Sequence, residues 1–406
     1  TYEHIEALHD LGYLPIEIKA LPEGTAVNLR VPMVTIQNTI PAFFWVTNFL
    51  ETILSAVLWM PCTSATIALE YRKILNKYAN ETGGDIAFVD WQAHDFSFRG
   101  MAGLEAASMS GAGHLLSFTG TDTIPAIDFL EDYYNANVET ELVGGSVAAT
   151  EHSVMCMGTK ENEIGSFQRL INEIYPSGIV SIVSDTWDFW KVIDEFLPSL
   201  KEEIMARDGK VVIRPDSGDP VKIICGDPDA PKGSSEHKGA VERIWETFGG
   251  TITDTGHKLL DGHIGLIYGD SITLERCEAI CSQLAAKGFA STNVVFGIGS
   301  YTYQYVTRDT FGFAVKATYG EVAGEGREIF KDPKTDDGTK RSAKGLIRLD
   351  WGEDGEIIMK DQVTRAEERM GLLATVYKDG NLLIDQDLTE IRDRIKENLG
   401  QEITSC

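Results

Sequence analysis

The chain has 406 residues, of which 43% are hydrophobic and 24% charged, and a formal net charge of -26. That length exceeds one compact module and predicts two intertwined domains. The charge repels nucleic acid and anionic lipid, so neither is an expected partner; any anionic ligand must be held by locally clustered Lys and Arg, which suits a small phosphorylated substrate.

The chain opens at Thr1 in an amphipathic pattern, without Met and without the basic and apolar regions of a signal peptide, and further residues are expected to precede it. The most apolar stretch, 43–60, is broken by Asn48 and Glu51 and falls short of the roughly 20 apolar residues of a bilayer span. A buried or interface helix is expected there. The cysteines (Cys62, Cys156, Cys225, Cys277, Cys281 and Cys406) lack the dense spacing of a secreted disulfide scaffold, which makes a reducing cytoplasm the default. Cys277 and Cys281, four apart in a helical pattern, have no further Cys or His nearby to complete a metal site and predict a buried helix face.

From about residue 84 onward, short β-rich runs at 86–89, 114–118, 179–183, 211–213, 264–267 and 294–296 alternate with helical stretches. Their continuous apolar character predicts parallel strands covered on both faces, in a β/α barrel or doubly wound sheet. The segments that follow them, at 90–100, 119–123, 184–188, 214–218, 268–271 and 297–300, collect carboxylates, arginines and glycines. That is where β/α barrels build active sites, and six in succession exceed what helix capping explains. Two polar loops, 225–239 and 331–345, are expected to be mobile and exposed.

There is no Walker A pattern, no strand-linked G-x-G-x-x-G and no G-x-S-x-G elbow, which removes the main support for nucleotide hydrolases, dinucleotide oxidoreductases and serine hydrolases. The run RPDSG at 214–218 puts a cation, a carboxylate and a hydroxyl on one loop, with Asp216 suited to ribose hydroxyls and Arg214 to the ligand; a bracing Arg-Asp pair is the plainer alternative. Gly269-Asp270-Ser271 and the GIGS run at 297–300 set backbone N–H groups ahead of expected helices, a phosphate-binding arrangement. Arg308, Lys316, Lys331, Lys340, Arg341 and Lys344 make a basic stretch in an acidic chain, part of it ordinary solvated charge. His152 follows small residues, and an orienting carboxylate such as Asp185 would give it acid-base or nucleophilic character.

Together these motifs resemble the nicotinamide phosphoribosyltransferase family. The similarity runs from GYLPIEIKALPEG at 12–24 nearly to the C-terminus and includes HDFSFRG at 94–100, GTDT at 120–123, EHS at 151–153, VSD at 183–185, IRPDSG at 213–218, TRD at 307–309 and FKD at 330–332. It implies an incomplete β/α barrel of the type II phosphoribosyltransferase kind packed on a second, discontinuous α/β domain. The corresponding division is 1–83, 84–300 for the barrel, and 301–406. It also implies an obligate homodimer with shared active sites.

By the same resemblance, Phe96 stacks on a pyridine ring with Arg214 beside it, and Asp122 accepts from the carboxamide N–H. A carboxylate there would repel nicotinate, so Asp122 favours the amide over the acid. Asp216 and Arg214 hold the ribose; Arg99, Gly269, Asp270, Gly299 and Ser300 surround the 5'-phosphate; Ser181 is a further substrate contact; and Arg308, Lys316 and Lys331 of a partner subunit bind the diphosphate. His152 corresponds to the histidine that ATP phosphorylates, with Asp185 orienting it, and Mg²⁺ shares the diphosphate charge. Ser300 and Tyr301 stand where the family has consecutive glycines, and Ala314 stands where it has a serine. The family's N-terminal segment, with an aromatic residue for the ring and an arginine for the diphosphate, is expected before Thr1. The competing readings are a nicotinate phosphoribosyltransferase, against which Asp122 argues, and a catalytically dead binding relative. A barrel aldolase or isomerase fits the architecture but lacks a catalytic lysine at a strand end.

Overall fold

The computed structural model describes residues 1–330 and 342–404, the side chains of 401–404 excepted; Lys331, Lys340, Arg341 and Cys406 lie outside the described residues. The chain forms two compact units, one of residues 1–63, 132–136 and 307–406 and the other of 64–131 and 137–306. One boundary falls inside a single 37-residue helix, Val46–Thr82, and the other after Val306, where the sequence division set them at 83/84 and 300/301.

In the first unit, Ile16–Ala20 pairs antiparallel with both Val34–Asn38 and Ala374–Lys378, so the two ends of the chain share one sheet. Two small cores support it: Ile16, Phe43 and Val46 form one, and Leu21, Ile347, Leu349 and Ile357 form the other. The Lys19 ammonium lies 2.5 Å from Glu368, and both side chains are nearly buried.

The second unit carries the site. Its seven parallel strands are β1 (Ala93–Asp95), β2 (Gly120–Thr121), β3 (Ala148–Ala149), β4 (Ser177–Val183), β5 (Asp208–Arg214), β6 (Ile264–Tyr268) and β7 (Val294–Ile298), in the order β2-β1-β7-β6-β5-β4-β3. Just before β3, the Gly145 N–H donates to Thr119 O at 2.8 Å and Gly145 O accepts from the Thr121 N–H at 3.0 Å, while Ala148 and Ala149 pair with β4. The stretch 145–149 therefore links the two edges of the curled sheet. Seven strands in a curled sheet, its edges joined among the described residues only through Gly145, make the incomplete barrel that the resemblance implied.

The apolar runs at 179–183, 211–213, 264–267 and 294–296 lie in β4 to β7, where Val180, Ile182, Val211, Ile213, Leu266, Phe296 and Ile298 are fully or almost fully buried. Two expected strands are something else. Residues 86–89 form a 3-10 turn, Ile86–Phe88, leading into the helix Val89–Gln92; Asp85 Oδ1 accepts from the Ala87 N–H and starts it, and the strand follows at β1. Residues 114–118 are the end of the helix Leu104–His114 and a turn, with Leu115 and Phe118 buried as plugs. A short apolar run without periodicity fits either state.

The helix Val46–Thr82 contains the apolar stretch at 43–60. By length and composition it is long and apolar enough to cross a membrane. Its C-terminal half is a core helix, with Ala68, Tyr71, Leu75 and Ala79 fully buried and the Tyr71 hydroxyl donating to Ile272 O. The loop expected at 225–239 is ordered: it contains the helix Ser235–Lys238, and Ser235 Oγ donates to Asp194. Cys277 and Cys281 form the buried face of the helix Leu274–Ala286.

Candidate active site

Each of the seven strands delivers one or two candidate site residues just past its C-terminal end. These are Phe96 and Arg99 after β1, Asp122 after β2, His152 after β3, Asp185 after β4, Asp216 after β5, Gly269 and Asp270 after β6, and Gly299 and Ser300 after β7. In a parallel barrel these ends converge on one mouth. The backbone is stitched there: the Phe96 N–H donates to Ile298 O at 2.9 Å, the Asp122 N–H to Asp95 O at 3.0 Å and the Thr150 N–H to Ser181 O at 2.9 Å.

Phe96 is half-buried on a floor of glycine. A Cβ on Gly297 would come within 2.5 Å of the Phe96 ring and 2.8 Å of the Gly269 Cα, so only glycine lets the ring lie there. The Arg214 guanidinium is 5.9 Å from the ring centroid, within cation-π range. Arg214 is buried, and its Nη2 donates to Thr150 O at 2.8 Å. His94 packs against Phe96 at 4.7 Å between centroids, with the rings tilted.

Asp122 receives two donors on one oxygen: His94 Nε2 at 3.0 Å and Ser146 Oγ at 2.5 Å, both on Oδ1. Burial pushes its carboxyl up, but the His94 hydrogen bond and charge, Ser146 and Arg214 outweigh that and hold it below the ordinary carboxylate range. Asp122 stands out in the sequence, whereas His94, though inside the run at 94–100, and Ser146, among the small residues before His152, carry no local sign of this contact, their partner being 28 and 24 residues away.

A second polar group gathers around Asp185, whose side chain is 4% exposed. Its Oδ1 is 3.0 Å from His152 Nε2 and its Oδ2 accepts the Asp216 N–H at 2.9 Å. Burial raises its carboxyl, yet the bonds from Ser217, the Asp216 N–H and His152 bring it below the usual range. Asp216 goes the other way. Burial raises it, Arg214 only partly opposes this, and Asp185 and Asp270 add to it.

Asp216 Oδ1 lies 3.6 Å from Arg214 Nε, too far for a hydrogen bond, and both atoms are buried without a partner among the described residues, as is Ser181 Oγ. Three buried polar atoms on or just past neighbouring strands, lacking hydrogen-bond partners among the described residues, are groups that a bound ligand would satisfy. The Tyr268 hydroxyl donates to Ser217 O and Gly218 O and pins the 214–218 loop. Gly269 leaves room for Asp216, since a Cβ would sit 2.1 Å from its Oδ1.

Arg99 is exposed, 3.7 Å from Glu151. Ser300 opens a short helix, with its Oγ filling the space a side chain on Gly100 would need. Arg308 and Lys316 do not belong to the strand-end group: they lie in the other unit, where Arg308 is 3.0 Å from Asp309 and Lys316 is exposed. Among the described residues, no group of three or more His, Cys, Asp or Glu is arranged to hold a metal.

A half-buried aromatic in cation-π contact with an arginine, a carboxylate held by two donors, an arginine-carboxylate ion pair and glycine-lined turns gather at the strand ends of one barrel. Residues 91–381 match the nicotinate phosphoribosyltransferase (NAPRTase) family. The chain is 60% identical over 405 residues to a nicotinamide phosphoribosyltransferase of Acinetobacter baylyi, covering 98% of this chain and 79% of that one. It is 34% identical to a protein of the same name from Xanthomonas campestris pv. campestris, covering 94% and 79%. The fold is similar to the crystal structure of nicotinate-nucleotide pyrophosphorylase from Pyrococcus furiosus, with a TM-score of 0.56 and 14% identity, over 98% of this chain and 84% of that one. The chain belongs to the nicotinate phosphoribosyltransferase family.

Proposed function

We propose that the protein is a nicotinamide phosphoribosyltransferase, which moves the phosphoribosyl group of phosphoribosyl diphosphate onto the ring nitrogen of nicotinamide and releases diphosphate. The observation that carries this is Asp122, an ionised acceptor with one oxygen unengaged beside the Phe96-Arg214 pair. The curated relatives at 60% and 34% identity support the same activity. Nicotinate, which is anionic where nicotinamide carries its amide, would meet like-charge repulsion from Asp122.

In this reading, Phe96 stacks on the ring with Arg214 beside it, and Asp122 Oδ2 fixes its rotation through the carboxamide. Asp216 accepts the ribose hydroxyls, while Gly269, Asp270, Gly299, Ser300 and Arg99 surround the 5'-phosphate. The C1–O bond breaks through an oxocarbenium-like state, so the residues act by placement and charge. No general base is required, because the ring nitrogen already carries a free lone pair.

Mg²⁺ is proposed as the ion that would share the charge of the leaving diphosphate when bound. ATP is proposed as co-substrate: with His152 Nε2 engaged by Asp185, Nδ1 is the nitrogen left to take the γ-phosphoryl group and release ADP. A homodimer in which the partner contributes Arg308, Lys316 and Lys331 to the diphosphate completes the proposal. Cytoplasmic residence is supported by the free thiols of Cys156, Cys225, Cys277 and Cys281.

The test is mass-spectrometric detection of nicotinamide mononucleotide from nicotinamide, phosphoribosyl diphosphate and Mg²⁺. Formation by the wild type and its loss in Arg214→Ala and Asp216→Ala supports the assignment. No product from the wild type, with or without ATP, refutes it.

A further inference from the structure

The unequal use of the two Asp122 oxygens has its own structural basis. His94, buried in β1, and Ser146, exposed on the stretch 145–149, reach the same oxygen from different strands. His94 has little freedom: its ring packs against Phe96, and its far edge lies against Gly120, where a Cβ would come within 2.8 Å of Nδ1. Whatever its charge, the nitrogen that faces the carboxylate must be the donor. Ser146 is held by the closure of the barrel, because the neighbouring Gly145 bonds to Thr119 and Thr121 on the β2 side. Oδ2 has no hydrogen-bond partner among the described residues, and the side chain is 45% exposed.

We infer that His94 and Ser146 are positioning residues that make Asp122 specific for an amide, by engaging Oδ1 and leaving Oδ2 as an ionised acceptor for the ring substituent. The inference rests on the proposed function and deepens it. A pyridine carboxamide offers an N–H where the acid offers an anionic oxygen. An ionised Asp122 accepts from the first and repels the second, whereas a protonated Asp122 would donate to the second. Discrimination therefore depends on keeping the proton off.

Burial works against this, and the two donors together with Arg214 from β5 reverse it. His94 and Arg214 are the charged or titratable groups facing Asp122, with Asp95 and His114 behind His94. Without the two donors burial prevails, the carboxyl takes up its proton at higher pH, and Oδ2 turns away from its fixed direction.

The test compares kcat/KM for nicotinamide and nicotinate at about pH 5 and about pH 8, the lower value lying nearer the ordinary carboxylate range, in Ser146→Ala, His94→Leu, the double variant and His94→Gln. The double variant is expected to lose at least about tenfold of the preference for nicotinamide at the lower pH. Less should be lost at the higher pH, through KM for the ring substrate and not KM for phosphoribosyl diphosphate. His94→Gln, which keeps an N–H donor, should recover part of the loss. Unchanged discrimination at both pH values in Ser146→Ala, a mild substitution at an exposed position, and in His94→Leu overturns the inference. So does a loss falling equally on both substrates at every pH, the pattern of a merely structural role. Absence of discrimination in the wild type would instead overturn the proposed function, so the two failures are distinguishable.

Discussion

The Asp185 Oδ2 accepts the Asp216 N–H at 2.9 Å, which ties the carboxylate holding His152 to the loop carrying the proposed ribose acceptor. A change at His152 can thereby reach Asp216 through one side chain. His152→Ala is expected to abolish ATP hydrolysis and ATP-dependent stimulation while leaving basal transfer measurable. Asp185→Ala is expected to remove the stimulation and also to raise KM for phosphoribosyl diphosphate, by about tenfold for a lost bond to a charged group. Coupled ADP release and initial-rate kinetics check both; identical behaviour of the two variants would mean that Asp185 acts on His152 alone.

Asp216 is a strained group by its electrostatics. Its carboxyl is raised by burial and by Asp185 and Asp270, so the ionised form is disfavoured in the fold. Above the folded pKa this costs stability, and the cost disappears as pH falls below it. Asp216→Asn should therefore melt no lower than the wild type near neutral pH, yet lose about a hundredfold or more in kcat/KM as a ribose acceptor. Calorimetry and kinetics on the same preparation check the pair; a clearly lower Tm would contradict the assignment of strain.

Gly297→Ala tests the aromatic floor. The added Cβ would lie 2.5 Å from the Phe96 ring and 2.8 Å from the Gly269 backbone, so the ring must move. The expected result is KM for nicotinamide raised by about tenfold or more, with a smaller change in KM for phosphoribosyl diphosphate, because a displacement of about 1 Å is costly in a positioned site. Equal changes in both constants would point to general loosening.

His114 sets the acid limb of stability. It is fully buried between the Tyr303 hydroxyl, which donates to Nδ1 at 2.7 Å, and Gly120 O, which accepts from Nε2 at 3.0 Å. Burial pushes it down to about 4, with Asp95 opposing. A base with a depressed folded value contributes stability that is complete above its unfolded value of 6.5 and is lost as pH falls toward about 4. One proton gives a slope of about 1.4 kcal/mol per pH unit. His114→Gln, which keeps a donor and an acceptor, should flatten unfolding free energy against pH in that window; an unchanged slope would assign the limb to other groups.

Legibility from sequence followed strand length and contact range. β4 to β7, of five to seven residues, stand out as continuous apolar runs. β1, β2 and β3 have two or three residues each, too few for any period, and polar motifs were the only sign of their ends. Residues 86–89 and 114–118 misled because burial alone makes a run apolar. His152 was marked only by the small residues before it, whereas the positions of Asp122, Asp185, Arg214 and Asp216 in strand-end segments were readable as motifs. The contacts His94 and Ser146 make with Asp122 were not, because they depend on which strands become neighbours and on the closure at Gly145.

The most direct test of the central claim is the ratio of kcat/KM for nicotinamide to that for nicotinate at neutral pH, in the wild type and in Asp122→Asn. The account predicts a ratio well above one in the wild type, reduced by about ten- to a hundredfold in the variant, mainly through nicotinamide. A wild type that uses nicotinate equally well or better, or a ratio unmoved by the substitution, would contradict it.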